Sequence, residues 1–170
     1  MIIFEFGDIF DCDVEALVNP VNCVGVMGKG LAAQFKRKYP RNFEVYRQYC
    51  KQGLIKCGKV HVVDWPLGVK RSKKILRFII NFPTKRHWSD LSRIKWIIDG
   101  LEDLRQFLIK EKVKSIAIPP IGCGLGGLNW DDVYPLIYKT FKDVDGVDVH
   151  IFPPHGRGIP ADKFKSTQGR

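Results

Sequence analysis

The chain has 170 residues, 45% of them hydrophobic, and a formal net charge of +10 at pH 7. That length suits one domain whose core needs no covalent staples, and no apolar run reaches the roughly 18 residues that a membrane helix needs. Five cysteines, odd in number, widely spaced and without a C-x-x-C, argue against a disulfide framework and a zinc knuckle, so no metal and no cofactor is expected.

Ile2 to Phe6 reads as a strand that Gly7-Asp8 breaks, and Ala16 to Asn19 as a short buried strand. Leu31 to Cys50 is helical, interrupted at Tyr39-Pro40 where proline removes a donor, and Gly53 stops it. Val60 to Asp64 and Ile75 to Phe82 are strands separated by a basic turn, Pro66 to Lys74. The second of them is nearly continuous in apolar residues, which suits a central strand covered on both faces.

Ser92 to Glu111 carries the clearest helical stripe: Ile94, Ile97, Ile98, Leu101, Leu104, Phe107 and Leu108 recur at the spacing of one buried face. Ser115 to Pro119 is another buried strand. Asn129 caps a further helix with an acidic first turn, and Pro135 inside that helix removes a hydrogen bond. Val147 to Phe152 is the last strand. Strands alternating with helices give an α/β class: a mixed, largely parallel sheet with helices on both faces. The expected domain spans residues 1–155, and residues 156–170 read as a basic, polar tail or linker.

Two glycine-rich strand-to-helix loops stand out. The first runs from Asn19 to Leu31 and the second from Ile118 to Trp130. Glycines let backbone amides approach a ligand closely, and the unpaired amides of a helix start favour negative charge. Asn19 and Asn22 add donors and acceptors suited to a ribose. In parallel sheets ligands bind beyond the carboxyl ends of the strands, so the two loops can hold a diphosphate from two sides. Gly28-Lys29 is not a P-loop, because Gly30 stands where Ser or Thr should hold magnesium. Gly122, Gly124 and Gly127 fit a Rossmann spacing, but no acidic residue follows in the right place.

Basic residues cluster at Lys36, Arg37, Lys38 and Arg41, from Lys70 to Arg77, at Lys85, Arg86 and His87, and from Lys110 to Lys114. They favour an anionic macromolecular partner, nucleic acid first, over a solvated surface alone. The N-terminal Met-Ile-Ile-Phe-Glu-Phe lacks the basic region of a secretory signal, so a cytoplasmic location is expected.

Together, Gly7-Asp8-Ile9, the loop from Asn19 to Leu31 and the loop from Pro120 to Gly127 resemble a macrodomain, the ADP-ribose-binding module. Val26-Met-Gly-Lys-Gly30 and Asn81-Phe-Pro-Thr-Lys-Arg-His-Trp88 are similar to the DarG-type antitoxin branch and to the related terminal ADP-ribose glycohydrolases. The resemblance implies a three-layer α/β/α sandwich. It implies an enzyme that removes ADP-ribose from single-stranded, thymidine-linked DNA, as antitoxin to a cognate ADP-ribosyltransferase toxin.

Carried over, Asp8 would accept from the adenine amino group beside Ile9. Asn19 and Asn22 would bind the ligand, with Asn22 touching the distal ribose. Gly28, Gly30 and Leu31 would line that ribose and the phosphates. Pro120, Ile121, Gly122, Cys123, Gly124, Leu125, Gly126 and Gly127 would wrap the diphosphate. Lys85 would be catalytic, His87 a helper, and Arg86 and Trp88 DNA contacts, with Trp65 a further stacking residue. Human-type relatives carry an aspartate where this chain has Gly126, so no loop carboxylate is present to resolve a lysine adduct.

Each residue also has a plainer reading. Asp8 suits an Asx turn, and Asn19 before Pro20 suits turn geometry. Cys23 and Cys123 fit as small packing residues. Thr84-Lys85-Arg86-His87 reads equally as a cationic phosphate loop. As a base or nucleophile a lysine must be neutral, which at an ordinary pKa holds for about one molecule in 2,500 at pH 7. A reader module that binds ADP-ribose without turnover, and a hydrolase acting on acidic protein side chains, therefore stay open beside the DNA-directed enzyme.

Overall fold

The computed structural model describes residues 1–65 and 76–157. Among these residues the chain order is β1 (Ile2–Phe4), a 3₁₀ turn (Ile9–Asp11), β2 (Ala16–Val21), α1 (Gly30–Lys38), α2 (Pro40–Lys51), β3 (His61–Asp64), β4 (Phe78–Pro83), α3 (Ile94–Lys110), β5 (Ser115–Ile118), α4 (Trp130–Phe141) and β6 (Asp148–Ile151). The strands form one sheet in the order β1-β6-β5-β2-β4-β3. Every pairing is parallel except that of β3 with β4. The α/β class with a mixed, largely parallel sheet is the architecture found.

Period-two alternation sorts the two faces. Ala16 and Val18 of β2, Ile80 and Phe82 of β4, and Ile116 and Ile118 of β5 pack with the stripes of α3 and α4. Leu17, Ile79 and Ala117 point the other way, onto Phe35 of α1. Helices thus cover both faces, and the predicted stripe of α3 supplies Ile97, Leu101, Leu104 and Leu108 to the larger core.

The departures from the sequence reading have local causes. β2 continues through Pro20 to Val21 rather than ending at Asn19. Its pairing with β5 stops at Leu17, so by Pro20 only the β4 side is paired and the missing N–H breaks no ladder on that flank. The interrupted helix at Tyr39-Pro40 is two helices, with Pro40 at the first position of α2, where its missing N–H would have had no partner. The strand of residues 2–6 closes at Phe4, and the chain then turns into the 3₁₀ segment capped by Asp8. Asn129 caps α4 through its Oδ1 to the Asp131 amide, and α4 runs on through Pro135.

The basic turn of residues 66–74, with Lys70, Arg71, Lys73 and Lys74, lies outside the described residues, as does the tail beyond Arg157. No helix among the described residues is long and apolar enough to cross a membrane.

Candidate ADP-ribose cavity

A cavity of about 580 Å³ opens beyond the carboxyl ends of β2, β4 and β5, between the two glycine loops and the loop that follows β4. From the first loop come Asn22, Val26, Gly28, Lys29, Gly30 and Leu31. The second loop contributes Pro120, Gly122, Gly124, Leu125 and Gly126. Thr84, Lys85, Trp88 and Ser89 close the third side. Segments distant in sequence thus converge on one cavity.

The first loop is held by Asn22. Its Oδ1 accepts from the amides of Val24 at 3.0 Å and Val26 at 3.4 Å, and its Nδ2 donates to the Val26 carbonyl at 2.8 Å. The fully buried Tyr46 hydroxyl of α2 lies 2.7 Å from the Asn22 carbonyl and 2.9 Å from its Oδ1. The side chain of Asn22 therefore shapes the loop first and has one N–H left for a ligand. Tyr46 sits in an amphipathic helix, where nothing local distinguishes it from an ordinary core residue.

Asn19 does not reach the cavity. It is fully buried, and its Nδ2 donates to Asn81 Oδ1 at 3.1 Å. Asn81 also exchanges bonds with Asn42 of α2, at 2.9 and 3.1 Å, and its Nδ2 lies 3.2 Å from His61 Nδ1. Asn19, Asn81 and His61 are register partners across β2, β4 and β3. A polar row thus runs under the first loop, with the Met27 thioether 3.9 Å from the Asn19 amide. Burial depresses the His61 pKa below its ordinary value.

Lys85 lines the cavity, and its Nζ donates to the Trp88 carbonyl at 2.8 Å. The loop is fastened to β2 and its extension: the Thr84 amide donates to Val21 at 2.9 Å and the Cys23 amide to Arg86 at 3.0 Å. His87 is held by the Ser89 hydroxyl at 2.7 Å and by its own amide to Asp90 Oδ2 at 3.0 Å, and it does not line the cavity. Arg86 turns away too, its guanidinium 5.5 Å from the Trp96 ring centre. Trp88 is 57% exposed at the mouth, beside Leu125 at 65%. Trp65 packs edge-on against Tyr39 at 4.9 Å, in the cluster around Phe35.

Gly126 has no room for a side chain. A Cβ there would collide with the Ser92 hydroxyl and come within 2.6 Å of the Gly122 carbonyl. The Ser92 amide donates to the Gly126 carbonyl at 2.9 Å, which pins the second loop to the start of α3. Gly122 adopts φ +74°, a conformation L side chains rarely enter. Ile121, Cys123 and Gly127 support this loop from outside the lining. Burial pushes the Cys123 thiol up to about 12, which suits packing and not nucleophilic attack.

Cys23 and Cys57 differ from Cys123. Their sulfurs are 3.7 Å apart. The hydrogen-bonding contact with Cys57 lowers the Cys23 pKa, with the Arg86 charge adding to the shift, while the same contact raises that of Cys57.

Asp8 and Ile9 also lie outside the lining. Asp8 Oδ1 accepts from the Phe10 amide at 2.9 Å as the cap of the 3₁₀ turn, and Ile9 packs in the cluster around Phe35. One group of metal-ligand types, Glu5, Cys12 and His150, comes together among the described residues, at the β1–β6 edge. There the His150 ring already pairs with Glu5 at 2.8 Å.

An α/β sandwich with glycine loops around a cavity at the carboxyl ends of its parallel strands suits a nucleotide-type ligand. Residues 18–137 match the family model described as Macro domain, and the chain belongs to that family. It is 47% identical over 173 residues to a Mycobacterium tuberculosis protein named DNA ADP-ribosyl glycohydrolase, covering 100% of this chain and 48% of that protein. The solved macrodomain of Mycobacterium tuberculosis DarG superposes with a TM-score of 0.84 at 45% identity, over 91% of this chain and 98% of that one. A structure described as Thermosipho africanus DarTG in complex with ADP-ribose gives 0.83 at 35% identity, over 93% of this chain and 43% of that one. The chain spans about half the length of the curated relatives it matches.

Proposed function

We propose that the cavity binds ADP-ribose and that the chain is the catalytic part of a DNA ADP-ribosyl glycohydrolase. The observation that carries the reading is Lys85, set into the wall of a cavity formed by two glycine loops. The second loop takes the diphosphate on its backbone amides, and the first loop takes the distal ribose beside Asn22. Asp8 and Ile9 are assigned the adenine end, with Asp8 Oδ2 left to accept from the amino group.

Lys85 then stands by the bond between the distal ribose and the base, with Trp88 at the exit. Water adds to the ribose carbon, and the departing base takes the proton. Gly126 offers no carboxylate to resolve a lysine adduct, which favours Lys85 acting on the leaving base or on the attacking water. His87, held by Ser89 and Asp90, assists by fixing the loop. The single-stranded, thymidine-linked substrate, the cognate transferase toxin and a cytoplasmic location belong to the same reading. They rest on the resemblance, on the basic surface and on five cysteines that form no disulfide.

The test is release of ADP-ribose from modified single-stranded DNA. Lys85→Ala is expected to slow release by about 100-fold or more, with calorimetric affinity for free ADP-ribose kept. Release by the variant at the wild-type rate would remove Lys85 from catalysis. Wild-type protein that binds ADP-ribose yet leaves modified DNA intact at stoichiometric amounts would be a reader. Faster turnover of ADP-ribosylated acidic side chains than of modified DNA would move the substrate to protein.

A further inference from the structure

The loop after β4 has two sides. Lys85, Trp88 and Ser89 face the cavity, whereas Arg86, Ser92, Arg93 and Trp96 line a separate recess behind it. In that recess the guanidinium carbons of Arg86 and Arg93 lie 5.5 and 5.0 Å from the centre of the Trp96 ring. Neither guanidinium forms an ion pair with a carboxylate among the described residues. Asp90 shares the recess, its Oδ2 occupied by the His87 amide, so the two arginines leave the charge net positive.

The helix start beside them also points to an anion. Arg93 is the cap residue of α3, yet it makes no side-chain cap bond, and no acidic residue stands in the first turn. The Trp96 amide already donates to the Arg93 carbonyl at 3.0 Å, and the amides of Ile94 and Lys95 before it are left for an external acceptor. Ser92 also lines the recess, with its buried hydroxyl turned onto Gly126. Two guanidiniums with no carboxylate partner among the described residues, beside a helix start with no side-chain cap, suit a phosphodiester, and phosphate contacts of this kind set the register of a strand.

We propose that this recess is a strand subsite: Arg86 and Arg93 hold the phosphodiester next to the ADP-ribosylated nucleotide of a single DNA strand, and the exposed Trp88 ring stacks the neighbouring base. The inference rests on the reading of the cavity as an ADP-ribose site with DNA as carrier. It adds Arg93, Trp96 and the start of α3, and it gives the loop a purpose on each side. The modified base leaves the strand toward Lys85 while the backbone stays on the far side of the same loop.

The experiment is fluorescence anisotropy with a labelled single-stranded oligonucleotide, unmodified and singly ADP-ribosylated, across a salt series, beside calorimetry with free ADP-ribose and with inorganic phosphate. Arg86→Glu with Arg93→Glu is expected to weaken both oligonucleotides by about tenfold or more and to lower the salt slope by about 0.7–1.4. Affinity for free ADP-ribose should stay unchanged. Arg86→Lys with Arg93→Lys is expected to keep the salt slope. Unchanged oligonucleotide affinity in the glutamate variant, with ADP-ribose binding intact, overturns the subsite and leaves the cavity reading standing. A lysine variant as weak as the glutamate one overturns it too, by assigning the loss to packing. Tight binding of inorganic phosphate without any response to the strand would make the recess a free-anion site and also overturn it. Failure of the wild type to bind ADP-ribose would fall on the cavity reading instead.

Discussion

The sulfurs of Cys23 and Cys57 face each other at 3.7 Å, one in the loop that walls the cavity and the other in the turn before β3. The contact with Cys57 lowers the Cys23 thiol pKa, whereas burial pushes Cys50 up to about 11 and Cys123 up to about 12. Iodoacetamide at neutral pH should therefore modify Cys23 ahead of Cys50, Cys57 and Cys123, as read by peptide mass spectrometry. Cys57→Ala should slow it by removing the contact that lowers the Cys23 pKa. Dilute hydrogen peroxide should join the pair, taking one hydrogen from each thiol and leaving water. A first label on Cys123 would contradict the assignment.

Gly126 and Ser92 are a second contact with a measurable cost. Gly126→Ala is expected to destabilise the fold by about 1–3 kcal/mol in urea titrations, the usual range for overpacking. Ser92→Gly in the same chain should recover only part, because the Gly122 carbonyl still lies 2.6 Å from the new Cβ. Gly126→Asp should lose ADP-ribose affinity and gain no activity. An alanine variant as stable as wild type would mean that the loop yields easily.

Asn81 serves three partners, so its loss leaves several buried polar groups unpaired. Asn81→Ala should cost at least about 2 kcal/mol. Asn42→Ala should cost less in that background than in the wild type, since the two share bonds. Additive losses in the double-mutant cycle would show the two amides to be independent.

His61 gives stability a pH dependence. Burial lowers its folded pKa below the ordinary value of about 6.5. Above that value both folded and unfolded states hold it neutral. As pH falls through it, the unfolded chain takes up a proton that the folded chain refuses, so stability drops until the folded pKa is reached. Urea midpoints should fall between pH 7.5 and pH 5.5, and His61→Gln should flatten that fall. An equally steep fall in the variant would place the titration elsewhere.

What the sequence made legible was periodic or local. The stripe of α3, the buried strands, the cap at Asn129 and the two glycine loops each lie within a few turns of chain. The cavity followed from them, because parallel strands deliver their loops to one edge. Asn19 is the instructive departure. An amide beside a glycine loop suits a sugar, and only the pairing of β2 with β4 turns it onto Asn81. Tyr46 on Asn22, Ser92 under Gly126 and Arg93 beside Trp96 were equally hidden, since each pairing joins residues whose own neighbourhoods look ordinary. The continuation of β2 through Pro20 depended on where β5 stops, which no local pattern records.

The Asn19–Asn81 pairing also acts as a counter. Lys85 stands four residues beyond Asn81 and Arg86 five, and each serves a different compartment. Deleting one residue between Asn81 and Lys85 would deliver the Arg86 guanidinium to the place of Lys85 and move the lysine to that of Thr84. Charge would be conserved, yet the arriving group cannot give up its proton. The loop thus has a reading frame anchored in a buried amide.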